Sequence, residues 1–144
     1  MRAVVDTNVV VSGLISHASA PFRVLDAGAH GRFTWITSEA LLSELEGVLR
    51  RKKIHRAIGW SDGDRDGFVR TLRVSSVVVS PKRTIEVIAD DADNRVLEAA
   101  VEGEADYIVS GDSDLVELRE YEGTLILTPR QFMAVLDEEE ARLL

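Results

Sequence analysis

Two segments of the sequence end an apolar run in acids and hydroxyl groups. They are AVVDTN at residues 3–8 and YIVSGDSD at residues 107–114. Each apolar run predicts a buried strand, and the carboxyl ends of central parallel strands meet at one edge of a sheet. We therefore expect Asp6, Asp112 and Asp114 to converge there. Turn and N-cap roles explain either segment alone, because the same residue types are favoured at those positions.

Two predicted helices each add a further acid. Glu44 lies three residues after Leu41 and four before Val48, at the margin of an apolar stripe. A boundary glutamate with its head in solvent is the alternative interpretation. Asp93 is followed by apolar residues at +3, +4 and +7, in line with a buried stripe, where a charge is costly unless it is paired or binds a cation. Its alternative role is an N-cap, since several polar residues crowd the same helix start.

A cation would relieve the repulsion that a shared location imposes on these acids. Carboxylates held close together repel one another and raise one another's pKa. Mg²⁺ and Mn²⁺ prefer oxygen ligands and relieve this repulsion. Such ions polarise phosphoryl oxygens, and a pair of them can clamp an in-line displacement. The chain has no cysteine, so disulfides and thiolate metal sites are excluded.

The charge of the chain is unevenly distributed. The net charge is −8 over 144 residues. Residues 1–72 carry 10 Lys/Arg against 8 Asp/Glu, whereas residues 73–144 carry 7 against 17. An acidic protein ordinarily repels nucleic acid. A polyanionic substrate is therefore compatible with this chain only if cations bind among the carboxylates or a local basic patch attracts it.

Length and hydropathy place the chain among ordinary globular proteins. A length of 144 residues with 45% hydrophobic residues predicts one domain spanning 1–144. No run of about 18 apolar residues that could span a bilayer is present. No basic-then-apolar leader opens the sequence, so we expect a cytoplasmic protein without membrane contact.

Strands alternate with helices along the chain. This order predicts an α/β domain with a mostly parallel sheet and helices on both faces. Thr128, Pro129 and Gln131 spell a capping box at the last helix. The predicted strands are 2–6, 33–36, 75–80, 106–112 and 124–128. The predicted helices are 21–31, 37–53 and 91–105, together with one that ends near residue 73 and one that starts at residue 128.

The same segments resemble the motifs of the PIN domain family, in order and at comparable spacing. They are VVDTNVVVSGL, SEALLSELEGVL, DDADNRVLEAA and ADYIVSGDSDL. The closing EGTLILTPRQF is similar to the last strand and helix of VapC-like PIN proteins, the toxins of toxin–antitoxin pairs. The resemblance covers essentially the whole chain. It implies a three-layer α/β/α fold and Mg²⁺- or Mn²⁺-dependent hydrolysis of RNA that leaves a 5′-phosphate and a 3′-hydroxyl.

The resemblance also implies residue roles. The catalytic, metal-binding acids would be Asp6, Glu44, Asp93 and Asp112. Asp114 would be an additional ligand or a supporting acid.

Neighbouring polar residues acquire roles by the same resemblance. Asn8 and Ser110 would orient ligands or water through hydrogen bonds. The family often has threonine at the position of Ser110, which keeps the hydroxyl. The alignment slips easily within DDADN, so Asp90 is the alternative to Asp93 as the third acid.

A basic segment, LRRKKIHR at residues 49–56, follows the Glu44 helix. We expect it to contact RNA phosphates and to steer the substrate towards the acids. The alternative is a solvated helix C-terminus, where cations suit the helix dipole. Its cations are Arg50, Arg51, Lys52, Lys53 and Arg56.

Several functions compete on this sequence. The leading interpretation is a toxin ribonuclease, held in check by an antitoxin and forming a homodimer; a PIN nuclease that processes RNA without an antitoxin is the nearest rival. Two signalling or phosphoryl-transfer classes fit less well. A phosphatase of the haloacid-dehalogenase type would need Asp at the position of Asn8. A receiver domain would need a lysine after the last strand, and the segment TLILTPR contains none. A non-catalytic binding module would be expected to lack one of the four acids, yet all four are present.

Overall fold

A six-stranded sheet forms the centre of the protein in a computed structural model that describes residues 1–144. The strands are β1 (Arg2–Val5), β2 (Thr34–Ser38), β3 (Val77–Val79), β4 (Tyr107–Val109), β5 (Glu120–Tyr121) and β6 (Thr124–Leu127). Their order across the sheet is β3-β2-β1-β4-β6-β5, and only β5 is antiparallel to its neighbour.

Helices cover both faces of the sheet. They are α1 (Thr7–Ile15), α2 (Ala20–Ala29), α3 (Glu39–Leu49), α4 (Lys52–Ile58), α5 (Asp62–Ser75), α6 (Asp91–Glu102), α7 (Ser113–Leu118) and α8 (Pro129–Arg142). One apolar core contains side chains of α1, α2, α3, α5 and α8, and a second contains those of α6 and α7. Successive residues of β1 point into opposite cores, as the pleat requires. The predicted α/β architecture is confirmed, with three layers.

The two strands that end in acids are neighbours. Val5 of β1 lies opposite Val109 of β4 in the parallel register. The backbone N–H of Asp6 donates to the Val109 carbonyl oxygen at 2.9 Å, so pairing continues to the last residue before α1 begins. Parallel strands of matched register end at the same edge. Residues that follow β1 and β4 are therefore held side by side.

The helix predicted over residues 37–53 is two helices. Ser38 caps α3, accepting from the Leu41 N–H at 3.3 Å, but α3 ends at Leu49. Arg51 is extended, with φ −61° and ψ 133°, and α4 begins at the next residue. The break turns α4 so that Ile54 and Ile58 pack against the first core. The basic segment is thus a helix junction and a second helix, and not one helix terminus.

Three short or weakly patterned elements depart from the predicted strands and helices. The helix predicted to end near residue 73 is α5, and it begins at Asp62, within the charged stretch 59–67; Ser61 and Asp64 form its capping box, and Val69 and Leu72 are buried. Helix α7 and strand β5 span six and two residues and were not predicted. Such elements are too short to show a hydrophobic period.

None of the helices is both long and apolar enough to cross a membrane.

Replacing Gly103 by alanine tests how closely α6 packs on the sheet. An added Cβ would lie 2.4 Å from Cγ2 of Ile36 and 3.0 Å from the Ala99 carbonyl oxygen, so helix and strand must shift. We expect Gly103→Ala to lower the free energy of unfolding by about 1–3 kcal/mol in urea denaturation. Gly47→Ala in α3 is the control, because nothing lies within 4 Å of its added Cβ. It should stabilise the protein by roughly 0.5–1 kcal/mol, and effects of the same sign would contradict the packing.

Candidate metal centre

Three of the helices that begin near the carboxyl edge of the sheet, α1, α6 and α7, carry a predicted site acid where they begin. Asp6 is the N-cap residue of α1 and Asp112 that of α7, while Asp93 lies in the first turn of α6. The positive ends of these helix dipoles favour negative charge by a few tenths to about 1 kcal/mol each. Glu44 comes from the middle of α3. The fold therefore gathers acids from four separate parts of the chain.

Asp93, Asp112 and Asp114 form the tightest group. One carboxylate oxygen from each lies within 4.8 Å of the other two. Asp93 is only 6% exposed, and its Oδ2 atom is buried without any hydrogen-bond partner. The backbone N–H of Asp114 donates to Oδ1 of Asp112 at 2.8 Å, which fixes that carboxylate. A buried oxygen without a donor is costly unless a cation completes its surroundings.

The Asp6 carboxylate is buried and held by a serine. The Ser110 hydroxyl donates to Oδ2 of Asp6 at 2.7 Å, and the N–H of Asp112 donates to the same hydroxyl at 3.0 Å. Burial raises the pKa of Asp6 to about 6, the hydrogen bond from Ser110 opposes the rise, and the negative charge of Glu44 adds to it. Ser110 thus links the acid that follows β1 to the acid that follows β4.

Glu44 is half-buried beside the start of α1. The Thr7 hydroxyl donates to Oε2 of Glu44 at 3.2 Å. Burial raises the pKa of Glu44, the Thr7 hydrogen bond lowers it, the charge of Asp90 raises it and that of Arg51 lowers it. Glu44 therefore belongs to the same electrostatic cluster as Asp6, although it lies outside the group of three.

Asp93 carries the largest carboxylate pKa shift in the protein. Burial raises its pKa to about 7, and the charges of Asp112, Asp6, Asp90 and Asp114 raise it further. The four acids that contribute charge come from α1, α7 and the chain entering α6. Around neutral pH, the protonated and ionised forms of Asp93 are thus of similar free energy in the metal-free protein.

The remaining polar residues take defined positions. Asn8 accepts the Gly111 N–H through Oδ1 at 3.3 Å, a second link between the chain after β1 and the chain after β4. Asp90 is the N-cap of α6 and accepts the Ala92 N–H at 2.9 Å. One oxygen of Asp90 therefore serves the helix, whereas Asp93 lies in the group of three.

The five cations of the basic segment are all exposed. Arg50 is paired with Glu46 of its own helix at 2.7 Å. Arg51 is close enough to lower the pKa of Glu44, while Lys52, Lys53 and Arg56 make no ion pair in the structure. Lys52, Lys53 and Arg56 are therefore not neutralised by acids of the chain.

The donor set fits a hard divalent cation. The group of three offers carboxylate oxygens alone, with no histidine or cysteine, and Mg²⁺ and Mn²⁺ prefer such ligands. The unpartnered oxygen of Asp93 is the observation on this structure that favours an ion. Chemically, the arrangement can hold a cation against a phosphate and balance its charge.

The contacts of two supporting residues were not predicted from the sequence. Thr7, which positions Glu44, belongs to the polar triplet after β1. Its place at the end of the strand could be predicted from the sequence, but its hydrogen bond to Glu44 could not. Asn94 bonds to the backbone of residues 87 and 88. Its spacing of four from Glu98 was the available signal, but the course of an irregular segment cannot be read from periodicity.

Comparisons with known proteins identify a family and a similar fold. A family model described as PIN domain matches residues 2–114. The chain is 27% identical over 141 residues to Uncharacterized protein MJ1680 of Methanocaldococcus jannaschii, covering 92% of this chain and 90% of that protein. A crystal structure of VapBC2 from Rickettsia felis, bound to a DNA fragment from their promoter, is similar in fold, with a TM-score of 0.58 and 18% identity. The alignment covers 88% of this chain and 97% of that one.

Asp93→Asn tests the cost of the buried charge in protein kept metal-free with EDTA. Because the pKa of Asp93 in the folded protein, about 7, lies above its ordinary value of 3.8, the wild type should lose stability as pH rises between these values. At pH 8 we expect Asp93→Asn to be more stable than the wild type by roughly 1–3 kcal/mol, and at pH 4 the gain should vanish. Urea denaturation at both pH values measures this.

The matched control is Asp91→Asn, the same change at an exposed position in the first turn of the same helix. Loss of a charge from a helix N-terminus should leave stability unchanged or slightly lower at pH 8. A gain at Asp91 equal to that at Asp93 would show that net charge, and not burial, is responsible.

Proposed function

Since the chain belongs to the PIN domain family, whose members are generally nucleases, we propose that it is an Mg²⁺- or Mn²⁺-dependent ribonuclease. The observation that carries the proposal is the group formed by Asp93, Asp112 and Asp114, with the unpartnered buried oxygen of Asp93. Asp6 and Glu44 extend this group towards α3. The reaction is hydrolysis of an RNA phosphodiester.

The acids would hold the metal, and their neighbours would fix the acids. Asp6, Glu44, Asp93 and Asp112 are the proposed catalytic ligands, and Asp114 adds a fifth carboxylate. When bound, the cation would polarise the phosphate and lower the pKa of water. In the balanced reaction, the oxygen of water bonds to phosphorus, the bond from phosphorus to the 3′ oxygen breaks, and a proton passes to that oxygen.

Hydroxyl and amide groups of the chain supply the orientation. Ser110 holds one oxygen of Asp6 at 2.7 Å and leaves the other without that constraint. Thr7 holds one oxygen of Glu44 in the same way. Ligand carboxylates held by such hydrogen bonds need little rearrangement on binding. The contact with Asp6 supports the orienting role that the family resemblance implies for Ser110.

The basic segment is proposed to bind the RNA backbone. Its exposed cations adjoin the helix that bears Glu44, in a protein whose net charge is −8. A local patch of this kind attracts phosphates where the whole protein would not. Arg50 is the weakest candidate, because it already pairs with Glu46.

We further propose that the chain is a toxin restrained by a protein antitoxin, and that it forms a homodimer. The similar fold of VapBC2, a pair of this type by its name, supports the first of these. An RNA-processing nuclease without an antitoxin would have the same site. An antitoxin-like reading frame directly upstream of the gene distinguishes the two.

Asp112→Asn and Asp6→Asn test the nuclease. Asparagine still accepts hydrogen bonds and still caps a helix, so both variants should fold. With structured and unstructured RNAs and Mn²⁺, we expect cleavage by the wild type, a fall of roughly 10- to 100-fold or more in either variant, and none in EDTA. Asp62→Asn, at an exposed acid of α5, is the control that should cleave normally.

Thermal unfolding gives an independent measurement on the same proteins. A cation that binds the native state alone raises its melting temperature. We expect Mn²⁺ to stabilise the wild type and Asp62→Asn, and to stabilise Asp112→Asn less. Cleavage that persists in EDTA, or that survives both site variants, would refute the proposal.

Removing three cations of the basic segment tests RNA binding. We expect the triple variant Lys52→Ala, Lys53→Ala, Arg56→Ala to bind single-stranded RNA roughly tenfold more weakly and to lower the salt dependence of log K by about 2. Filter binding in Ca²⁺ across a salt series measures both. The control is a triple variant with the same charge change elsewhere, and it should keep most of the affinity for RNA. Its substitutions are Arg70→Ala, Lys82→Ala and Arg130→Ala. Equal losses would mean that net charge alone governs binding.

A further inference from the structure

A polar stripe on α6 holds the irregular segment that precedes this helix. Its members, Asn94, Glu98 and Glu102, are spaced by four residues, so they lie on one face of the helix. Glu102 accepts the Lys82 N–H at 2.9 Å and Glu98 accepts the Ile85 N–H at 2.9 Å. The stripe thus follows the segment along the helix towards the acids and supplies hydrogen bonds that a neighbouring strand would otherwise give.

Asn94, at the end of the stripe nearest the acids, makes the largest number of these bonds. Its Oδ1 accepts the N–H groups of Val87 at 3.1 Å and Ile88 at 2.9 Å, and its Nδ2 donates to the Ile88 carbonyl oxygen at 2.7 Å. The residue is 1% exposed. Three of the four hydrogen bonds available to an asparagine side chain are therefore used on two residues of the segment.

The segment held by Asn94 leads directly to the acids of α6. Asp90, two residues after Ile88, is the N-cap, and Asp93 immediately precedes Asn94 in the chain. Asp93 lies among Asp112 and Asp114 with one oxygen unpartnered, although mutual repulsion favours separation. Something other than attraction between these acids must keep the start of α6 in place.

We infer that Asn94 is a positioning residue that fixes the start of α6, and with it Asp93, before a divalent cation binds. The inference rests on the proposed metal-dependent function. Asn94 acts through the backbone of Val87 and Ile88 and has no contact with the ion. Glu98 secures the same segment one turn further from the acids, so it contributes to stability without setting the position of Asp93.

Mn²⁺ affinity of the full chain tests this inference. We expect Asn94→Ala to weaken Mn²⁺ binding by about 10- to 100-fold in calorimetric titration. Glu98→Ala, the matched loss of another side chain that holds the same segment, should change the affinity far less while also lowering the melting temperature. A purely structural role for Asn94 would weaken Mn²⁺ binding equally in both variants, in step with stability, and would overturn the inference.

Hydrogen exchange of the wild type supplies a measurement that needs no variant. The amides of Val87 and Ile88 should be protected in EDTA and equally protected with Mn²⁺, because the segment is fixed in advance. Protection that appears only with Mn²⁺ would overturn the inference even if Asn94→Ala failed to fold. A wild type that binds no Mn²⁺ would defeat the proposed function itself. Wild-type binding that Asn94→Ala leaves intact would defeat only the role of Asn94.

Discussion

The rest of this structure depends on one constraint, which is that several carboxylates are held close together where they are partly buried from water. The pKa of Asp6 is raised to about 6 and that of Asp93 to about 7, in both cases mainly by burial. A folded domain is stable by only about 5–15 kcal/mol. At neutral pH, two such carboxylates lower the free energy of unfolding by a noticeable fraction of that amount. A site of this kind persists only if the surrounding scaffold is rigid and stable without it.

The scaffold meets this demand by separating packing from charge. Two apolar cores lie on opposite faces of the sheet, and the acids lie at its edge, where helices begin. Close contacts such as that of Gly103 with Ile36 fix α6 on the strands. Ser110, Thr7 and Asn94 then orient single carboxylates or the backbone beside them. Packing of the cores and arrangement of the acids thus depend on different residues that share the same elements.

The sequence predicted the architecture and the location of the acids better than it predicted their supports. Strands and helices with a clear period appeared as expected, because burial of a face imposes that period. The break after Leu49 has no glycine or proline to mark it, and it depends on packing of Ile54 against the core. The group of three acids joins residues of α6 and α7, so its distances are tertiary. The hydrogen bonds between Asn94 and the irregular segment could not be predicted, because they produce no periodic pattern in the sequence.

The pairing of β1 with β4 has a consequence for the timing of assembly. The hydrogen bond between Ser110 and Asp6 joins residues 104 positions apart, and β1 lies between β2 and β4. A chain emerging from the ribosome exposes Asp6 and Glu44 long before β4 is made, and domains generally fold as units. A nascent chain therefore carries no assembled acid cluster. The contacts that join Asp6 to Ser110, and Asp93 to Asp112 and Asp114, therefore form only after the segment from β4 to α7 has been made.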